Sequence, residues 1–286
     1  MDGIGPPLVT PFDASGDINR DALVELVDWV EARGVDFLVP CGSNGEAELM
    51  TADERRSVVE TVVDAASVPV LAGTGHPGLR ETLKATESAA DAGADAALVV
   101  TPFYYDHDQD ALEAYYREVA DESPLPVYLY SVPAYTGVRL DPETVGALAD
   151  HPNVAGMKDS HAALGEFTRT QKRVADSEFD LMIGSASVLA AALDAGAAGG
   201  VVALANLLPE ETAEVYRRHA ADPEAARRLN AELIEVNTAI TATYGVPGLK
   251  YAMRQRGAPA GSPRSPHRPP DEAAKAHLRE LLAAVE

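Results

Sequence analysis

One pattern constrains this chain more than any other. A short apolar run rich in β-branched residues is followed by an amphipathic helical stretch, eight times over. The runs are GIGPPLVTPF (3–12), VDFLVP (35–40), VPVLAG (68–73), DAALVVTPF (95–103), LPVYLYSVP (125–133), NVAGMK (153–158), FDLMIGS (179–185) and AGGVVALAN (198–206). Between them, Leu23, Leu26, Val27 and Val30 share one face of a helix predicted over 19–33 and closed by Gly34. Thr51 and Glu54 form a capping-box pattern that opens a helix to about Ala66. Further helices are predicted from Leu79 and Leu83 to about Ala92, over 109–121, 141–150, 162–175 and 187–196, and from about Pro209. Apolar strands alternating with helices make a parallel sheet covered on both faces. Eight such units in roughly 220 residues fit a closed (β/α)8 TIM barrel better than an open doubly wound sheet. The expectation is therefore a catalytic barrel over 1–220. A C-terminal helical extension over 221–286 follows, broken by GAPAGSPRSPHRPP (257–270).

Charge narrows the partners. Asp and Glu number 45 against 23 Lys and Arg, a net charge of -22, and the acids are dispersed over the helices. Such a surface repels nucleic acid and anionic membranes. Dispersed acid with Arg preferred to Lys also suits a salt-loaded, halophilic cytoplasm, where screening makes the self-repulsion tolerable. No apolar stretch reaches the roughly 18 residues of a membrane span. The N-terminus reads as the start of the fold and not as a signal peptide. A single cysteine, Cys41, fits a reducing compartment, so the protein is expected to be cytoplasmic. Seven scattered histidines show neither H-x-H nor H-E-x-x-H spacing, so no metal site is expected.

Barrel enzymes act at the C-terminal ends of their strands. There this sequence gathers CGSNGE (41–46), TPFYY (101–105), YLYSVPAYTG (128–137), GMKDS (156–160), IGS (183–185) and ANLLP (205–209). One amine, several hydroxyls and phenols, and Gly-rich turns converge on one mouth. Lysine is scarce, with only five in the chain, yet Lys158 ends an apolar strand. A lysine taken out of water gives up its proton more readily and can attack a ketone. The iminium so formed allows a neighbouring carbon–carbon bond to break or form. A phenol can relay the protons, and turn N–H groups with a hydroxyl can hold a carboxylate.

These motifs resemble the dihydrodipicolinate synthase/N-acetylneuraminate lyase family of class I, pyruvate-dependent lyases. LVTPFDASGDI, GSNGE, PFYY, LYSVPAYTG, GMKDS and the closing RPP occur in the family's order and spacing through essentially the whole chain. The resemblance implies that Lys158 forms the imine and that Tyr130 relays protons at it. Ser43 would link Tyr130 to a second tyrosine, Tyr104, reaching in from a neighbouring subunit. Ser43 and Asn44 would hold the pyruvate carboxylate, with Gly184 and Val202 along the pocket floor. It also implies no cofactor beyond the covalent lysine imine, a small-molecule 2-keto acid and an aldehyde as partners, and a homotetramer built as a dimer of dimers.

Two positions depart from the family pattern. Asn44 stands where a second Thr is usual. Tyr135 stands where dihydrodipicolinate synthases carry an Arg for the carboxylate of aspartate semialdehyde, and a phenol cannot form that bidentate charged pair. A hydroxylated aldehyde suits Tyr135 better. By analogy with a modified Entner–Doudoroff pathway in halophiles, the substrate expected is 2-keto-3-deoxygluconate or its 6-phosphate. Dihydrodipicolinate synthase is the alternative within the family, followed by N-acetylneuraminate lyase. A non-catalytic 2-oxoacid-binding protein is the alternative outside it. Glu46 is read as only holding a turn through backbone N–H groups, Cys41 as a small buried residue, and AGTGHPG (72–78) as a plain loop at the mouth. His161 is the one histidine expected near the substrate, and Tyr105, His107 and Tyr135 are candidates for recognising its distal end.

Overall fold

The computed structural model describes residues 1–285. Seven strands form one curled parallel sheet of TIM-barrel-like form: β1 (Gly3–Gly5), β2 (Leu71–Gly73), β3 (Ala96–Val100), β4 (Val127–Ser131), β5 (Val154–Asp159), β6 (Asp180–Ile183) and β7 (Gly199–Val201). Their order is β1-β7-β6-β5-β4-β3-β2, so the edges are β1 and β2. The predicted strand VDFLVP runs between those edges with a single ladder bridge, Leu38 to Val70. Its backbone nonetheless bonds both ways. Asp36 N–H donates to Ile4 O and Val39 N–H to Pro6 O, while Leu38 N–H donates to Pro69 O and Leu71 N–H to Leu38 O. Pro6, Pro40 and Pro69 offer carbonyls but no N–H, which interrupts a regular ladder at this point.

Helices cover the outside. α1 (Arg20–Glu31) buries Leu23, Leu26, Val27 and Val30, as the periodicity predicts, with Asn19 capping the Ala22 N–H. α2 (Ala52–Ala65) opens on the predicted capping box. Thr51 N–H reaches the Glu54 carboxylate at 2.8 Å, and Glu54 N–H returns to Thr51 Oγ1 at 3.2 Å. α3 (Leu79–Asp91) turns Thr82, Thr86 and Ala89 inward, and Leu79 and Leu83 are only half-buried. Its threonine hydroxyls are paired at the core: Thr86 with Thr74 at 2.9 Å, and Thr82 with Tyr115 at 2.9 Å. α4 (Gln109–Glu122), α5 (Pro133–Thr136), α6 (Pro142–Ala149), α7 (Leu164–Val174), α8 (Leu189–Asp194) and α9 (Pro209–Ala221) complete the alternation. α10 (Pro223–Thr238), a π-helical turn over Ala239–Thr243, α11 (Gly245–Gln255) and α12 (Glu272–Ala283) follow.

Strand alternation divides the apolar residues into two cores. Leu129, Val154, Met157 and Ile183 point outward to the helices. Phe37, Leu71, Leu98, Tyr128, Tyr130, Met182 and Val201 fill the space inside the curled sheet. Phe37 belongs to the segment with no regular ladder, so that segment supplies interior packing even where its pairing is irregular.

Two glycines set how closely strands approach. A Cβ on Gly156 would fall 2.5 Å from the Tyr128 ring and 2.5 Å from Asp180 O. One on Gly199 would fall 1.9 Å from Gly3 O, backbone against backbone, where β1 joins β7. Gly199→Ala is therefore expected to destabilise the fold by about 3 kcal/mol or more, at the upper end of overpacking costs. The urea midpoint of the purified variant measures this, and a midpoint equal to that of the parent protein would contradict it.

Candidate active site

The register between β4 and β5 pairs Tyr130 with Lys158, and that between β5 and β6 pairs Lys158 with Met182. Side chains alternate across each strand, so Tyr130, Lys158 and Met182 all point into the interior. Lys158 is 4% exposed and Tyr130 5%. The Lys158 ammonium position lies 4.2 Å from the centroid of the Tyr130 ring. The Tyr130 hydroxyl shares a hydrogen bond with Ser43 Oγ at 3.4 Å. A lysine, a phenol and a serine hydroxyl thus meet in order at one end of the sheet.

Ser43 stands on a tight turn. Gly42–Gly45 closes with Gly45 N–H to Gly42 O and Glu46 N–H to Ser43 O. Thr10 Oγ1 donates to Gly45 O at 2.7 Å and fixes the turn from the β1 side. Asn44 is half-buried on the same turn. A cavity of about 40 Å³, lined by Ser43, Tyr130, Cys41, Glu48, Gly75 and Val100, lies beside it. That volume holds water-sized guests. Burial pushes the Cys41 thiol up to about 12, as a small inert core residue requires. Gly75 brings the 72–78 loop into this wall, so that loop borders the candidate site.

Of the other predicted residues, Gly184 donates its N–H to Asp159 O at 2.7 Å, and a Cβ there would overlap Ser160 Oγ at 1.9 Å. Val202 is fully buried, its N–H bonded to Gly5 O. Asp159 is buried on the strand after Lys158; burial raises its pKa, while the His161 N–H donated to it at 2.8 Å opposes the rise. Tyr104 stands apart from this group, whereas Tyr135 borders it: burial and the neighbouring Tyr130 phenol raise the Tyr135 pKa. Tyr104 is 86% exposed, holds a positive φ of 82° and packs edge-on against Tyr105. Tyr135 is 69% exposed on α5. Arg139 turns to Asp141 and Glu166 on the surface.

The Dihydrodipicolinate synthetase family model matches residues 1–285. The chain belongs to this family. It is 40% identical over 286 residues to an uncharacterized DapA-like lyase of Halobacterium salinarum strain R1, covering 99% of this chain and 93% of that protein. It is 37% identical over 287 residues to a 4-hydroxy-tetrahydrodipicolinate synthase of Natronomonas pharaonis, covering 99% and 97%. Among solved structures it is similar to YagE of Escherichia coli K12, a dihydrodipicolinic acid synthase family protein in complex with pyruvate. That match has a TM-score of 0.95 and 31% identity, with 100% of this chain and 98% of that chain covered. Members of the dihydrodipicolinate synthetase family are pyruvate-dependent lyases, and the chain is an enzyme of that kind. Among the described residues no helix is long and apolar enough to cross a membrane.

Glu46 does hold a turn through one backbone N–H, that of Arg264, but its carboxylate does more than that. It is fully buried and accepts from the Lys250 ammonium, from Arg264 N–H at 2.9 Å and from His267 Nδ1 at 2.8 Å. All three partners lie more than 200 positions away in sequence, so no local pattern could signal them. The one clue was Lys250 itself, a rare cation among the apolar residues of GLKYAM. Arg264 extends the cluster. Its guanidinium reaches the Glu54 carboxylate at 2.9 Å and Leu49 O at 3.0 Å, and lies 4.4 Å from the Phe12 ring centroid.

The Arg264 hydrogen bond holds the Glu54 carboxyl at about 2, well below its ordinary 4.5. A carboxylate with a depressed native pKa contributes stability above its unfolded pKa and loses it as pH falls through the native one. Glu54→Gln is therefore expected to lower the urea midpoint at neutral pH, with the gap closing as pH falls from 4.5 towards about 2. Urea titrations of both proteins across that range check this; a gap that does not change with pH would contradict it.

Proposed function

We propose that this chain is a class I aldolase that makes and breaks a carbon–carbon bond to pyruvate through an imine at Lys158. The observation that carries the reading is the β4–β5 register, which sets a buried lysine beside a phenol that is hydrogen-bonded to Ser43. In the cleavage direction, Lys158 Nζ attacks the C2 carbonyl of a 2-keto-3-deoxy sugar acid, and Tyr130 gives its proton to the hydroxyl that leaves as water, forming an iminium. The Tyr130 phenolate then takes the proton of the C4 hydroxyl as the C3–C4 bond breaks. The bonding pair moves to C3 as an enamine, and the aldehyde leaves. Protonation of C3 and hydrolysis of the imine return pyruvate and free Lys158. No resident metal or cofactor takes part in these steps. Ser43, Asn44 and their N–H groups hold the keto-acid carboxylate, and Gly184 and Val202 line the floor beneath it.

We read residues 36–39 as the eighth strand, closing a (β/α)8 barrel over 1–220 with 221–286 as its helical extension. Tyr104, exposed and in a conformation that disfavours a side chain, is read as covered in a dimer of dimers, where it reaches a partner's Ser43.

For the aldehyde, Tyr135 at the mouth offers a hydroxyl and an aromatic face but no cation, while Arg139 is engaged with Asp141 and Glu166. This favours a hydroxylated aldehyde, glyceraldehyde or its 3-phosphate, and hence 2-keto-3-deoxygluconate or its 6-phosphate as substrate. The second reading, condensation of pyruvate with aspartate semialdehyde, is favoured by the relatives named 4-hydroxy-tetrahydrodipicolinate synthase.

Incubation with pyruvate and borohydride should add a reduced pyruvate to Lys158 and to no other lysine, as read by peptide mass. Lys158→Ala should keep the fold and lose turnover; an unmodified Lys158 in the parent protein would sink the imine. Pyruvate release from 2-keto-3-deoxygluconate, with and without the 6-phosphate, should exceed condensation with aspartate semialdehyde in kcat/KM. The reverse order would establish the second reading instead.

A further inference from the structure

The turn that carries Ser43 and Asn44 ends on an unusual residue. Glu46 adopts the left-handed conformation, φ 57° and ψ 35°, which a side chain other than Gly or Asn seldom takes. Such a position persists only where the surroundings over-determine it. Here they do. Lys250 Nζ, fully buried on α11, donates to Thr10 O at 2.6 Å, to Ser262 O at 2.9 Å and to the Glu46 carboxylate, so all three of its protons are engaged. The second carboxylate oxygen takes Arg264 N–H and His267 Nδ1. Thr10, whose carbonyl Lys250 holds, places its own hydroxyl on Gly45 O. The turn is thus gripped at two consecutive residues by one closed network. The far ends of that network are α11 and the 257–270 segment.

We propose that Glu46 and Lys250 are positioning residues that set the geometry of the substrate-carboxylate turn, so that α11 and the 257–270 segment determine affinity for pyruvate. The proposal rests on the reading of Ser43 and Asn44 as that turn. Neither side chain touches substrate. Their loss moves Ser43 and Asn44 away from the carboxylate and leaves Lys158 and Tyr130, held by the β4–β5 ladder, in place. A residue that only supported the fold would lower the denaturation midpoint and leave the pyruvate dependence unchanged.

The test compares Glu46→Gln/Lys250→Met with His267→Ala. The double variant removes both buried charges together, because either charge left alone would be costly to bury. His267→Ala removes one donor at the edge of the network. Pyruvate affinity is measured by calorimetry, turnover at saturating pyruvate by steady-state kinetics, and imine formation by borohydride trapping. The double variant is expected to bind pyruvate about tenfold or more weakly, the scale of one lost charge-assisted hydrogen bond, with kcat changing much less. His267→Ala should shift the same way by a smaller factor, and it serves alone if the double variant does not fold. Unchanged pyruvate affinity in whichever folded variants are obtained overturns the proposal. Failure of the parent protein to trap pyruvate, with affinity still weakened in the variants, would sink the imine and leave the positioning role standing.

Discussion

The chemistry proposed for this molecule depends on the register between β4 and β5. In a parallel pair with side chains alternating in and out, a slip of one residue would turn Lys158 to the helices and bring Met157 inside. Packing guards against that slip. Tyr128, two residues before Tyr130, lays its ring over Gly156, where even a methyl group would collide. Its hydroxyl reaches the Asp180 carboxylate, which also takes the amine of Met1. Gly156 thus leaves the room that the Tyr128 ring occupies, which any residue with a Cβ would take up. The next pair up the strands, Tyr130 and Lys158, inherits its position from that fit.

The other half of the site has no such ladder. Ser43 and Asn44 sit after the segment that pairs with both sheet edges by isolated bonds, and a free turn there would sample many conformations. Its order comes from tertiary contacts instead: Thr10 on the Gly45 carbonyl, and the cluster of Lys250, Arg264 and His267 on Glu46. One site is therefore built by two different means. Strand register places the amine and the phenol, while a buried charged network holds the turn of Ser43 and Asn44.

That division explains what could be read from the sequence. Strand and helix periods are local, so the alternation, the capping box at Thr51 and Glu54, and the inward face of α1 were visible in the string. That Lys158 and Tyr130 lie close together was legible in part, since both stand near the ends of predicted strands and the family resemblance pairs them. The Glu46 partners were not, since Lys250, Arg264 and His267 come from segments that look like an ordinary helix and a Pro-rich loop. Nor did the periodicity of VDFLVP warn that three prolines around it would remove the donors of a regular ladder. Leu79 and Leu83 marked α3 by composition. The face that α3 buries is set by paired threonine hydroxyls, which a hydrophobic pattern does not register.

The distribution of cations follows from the same physics. Over a chain of net charge -22, arginine makes most of the exposed pairs, such as Arg169 and Arg173 with Glu143. Two of the five lysines are buried, Lys158 and Lys250. At Lys158 no other cation could serve the proposed chemistry, because only a primary amine condenses with a ketone. At Lys250 the requirement is geometric. Three acceptors, Thr10 O, Ser262 O and the Glu46 carboxylate, converge on one point from three directions. A compact ammonium meets all three, whereas the planar fork of a guanidinium would direct its donors within one plane and need more room beside Phe12. The buried lysines stand where the shape of the ammonium group, and at Lys158 its proposed reactivity, cannot be replaced.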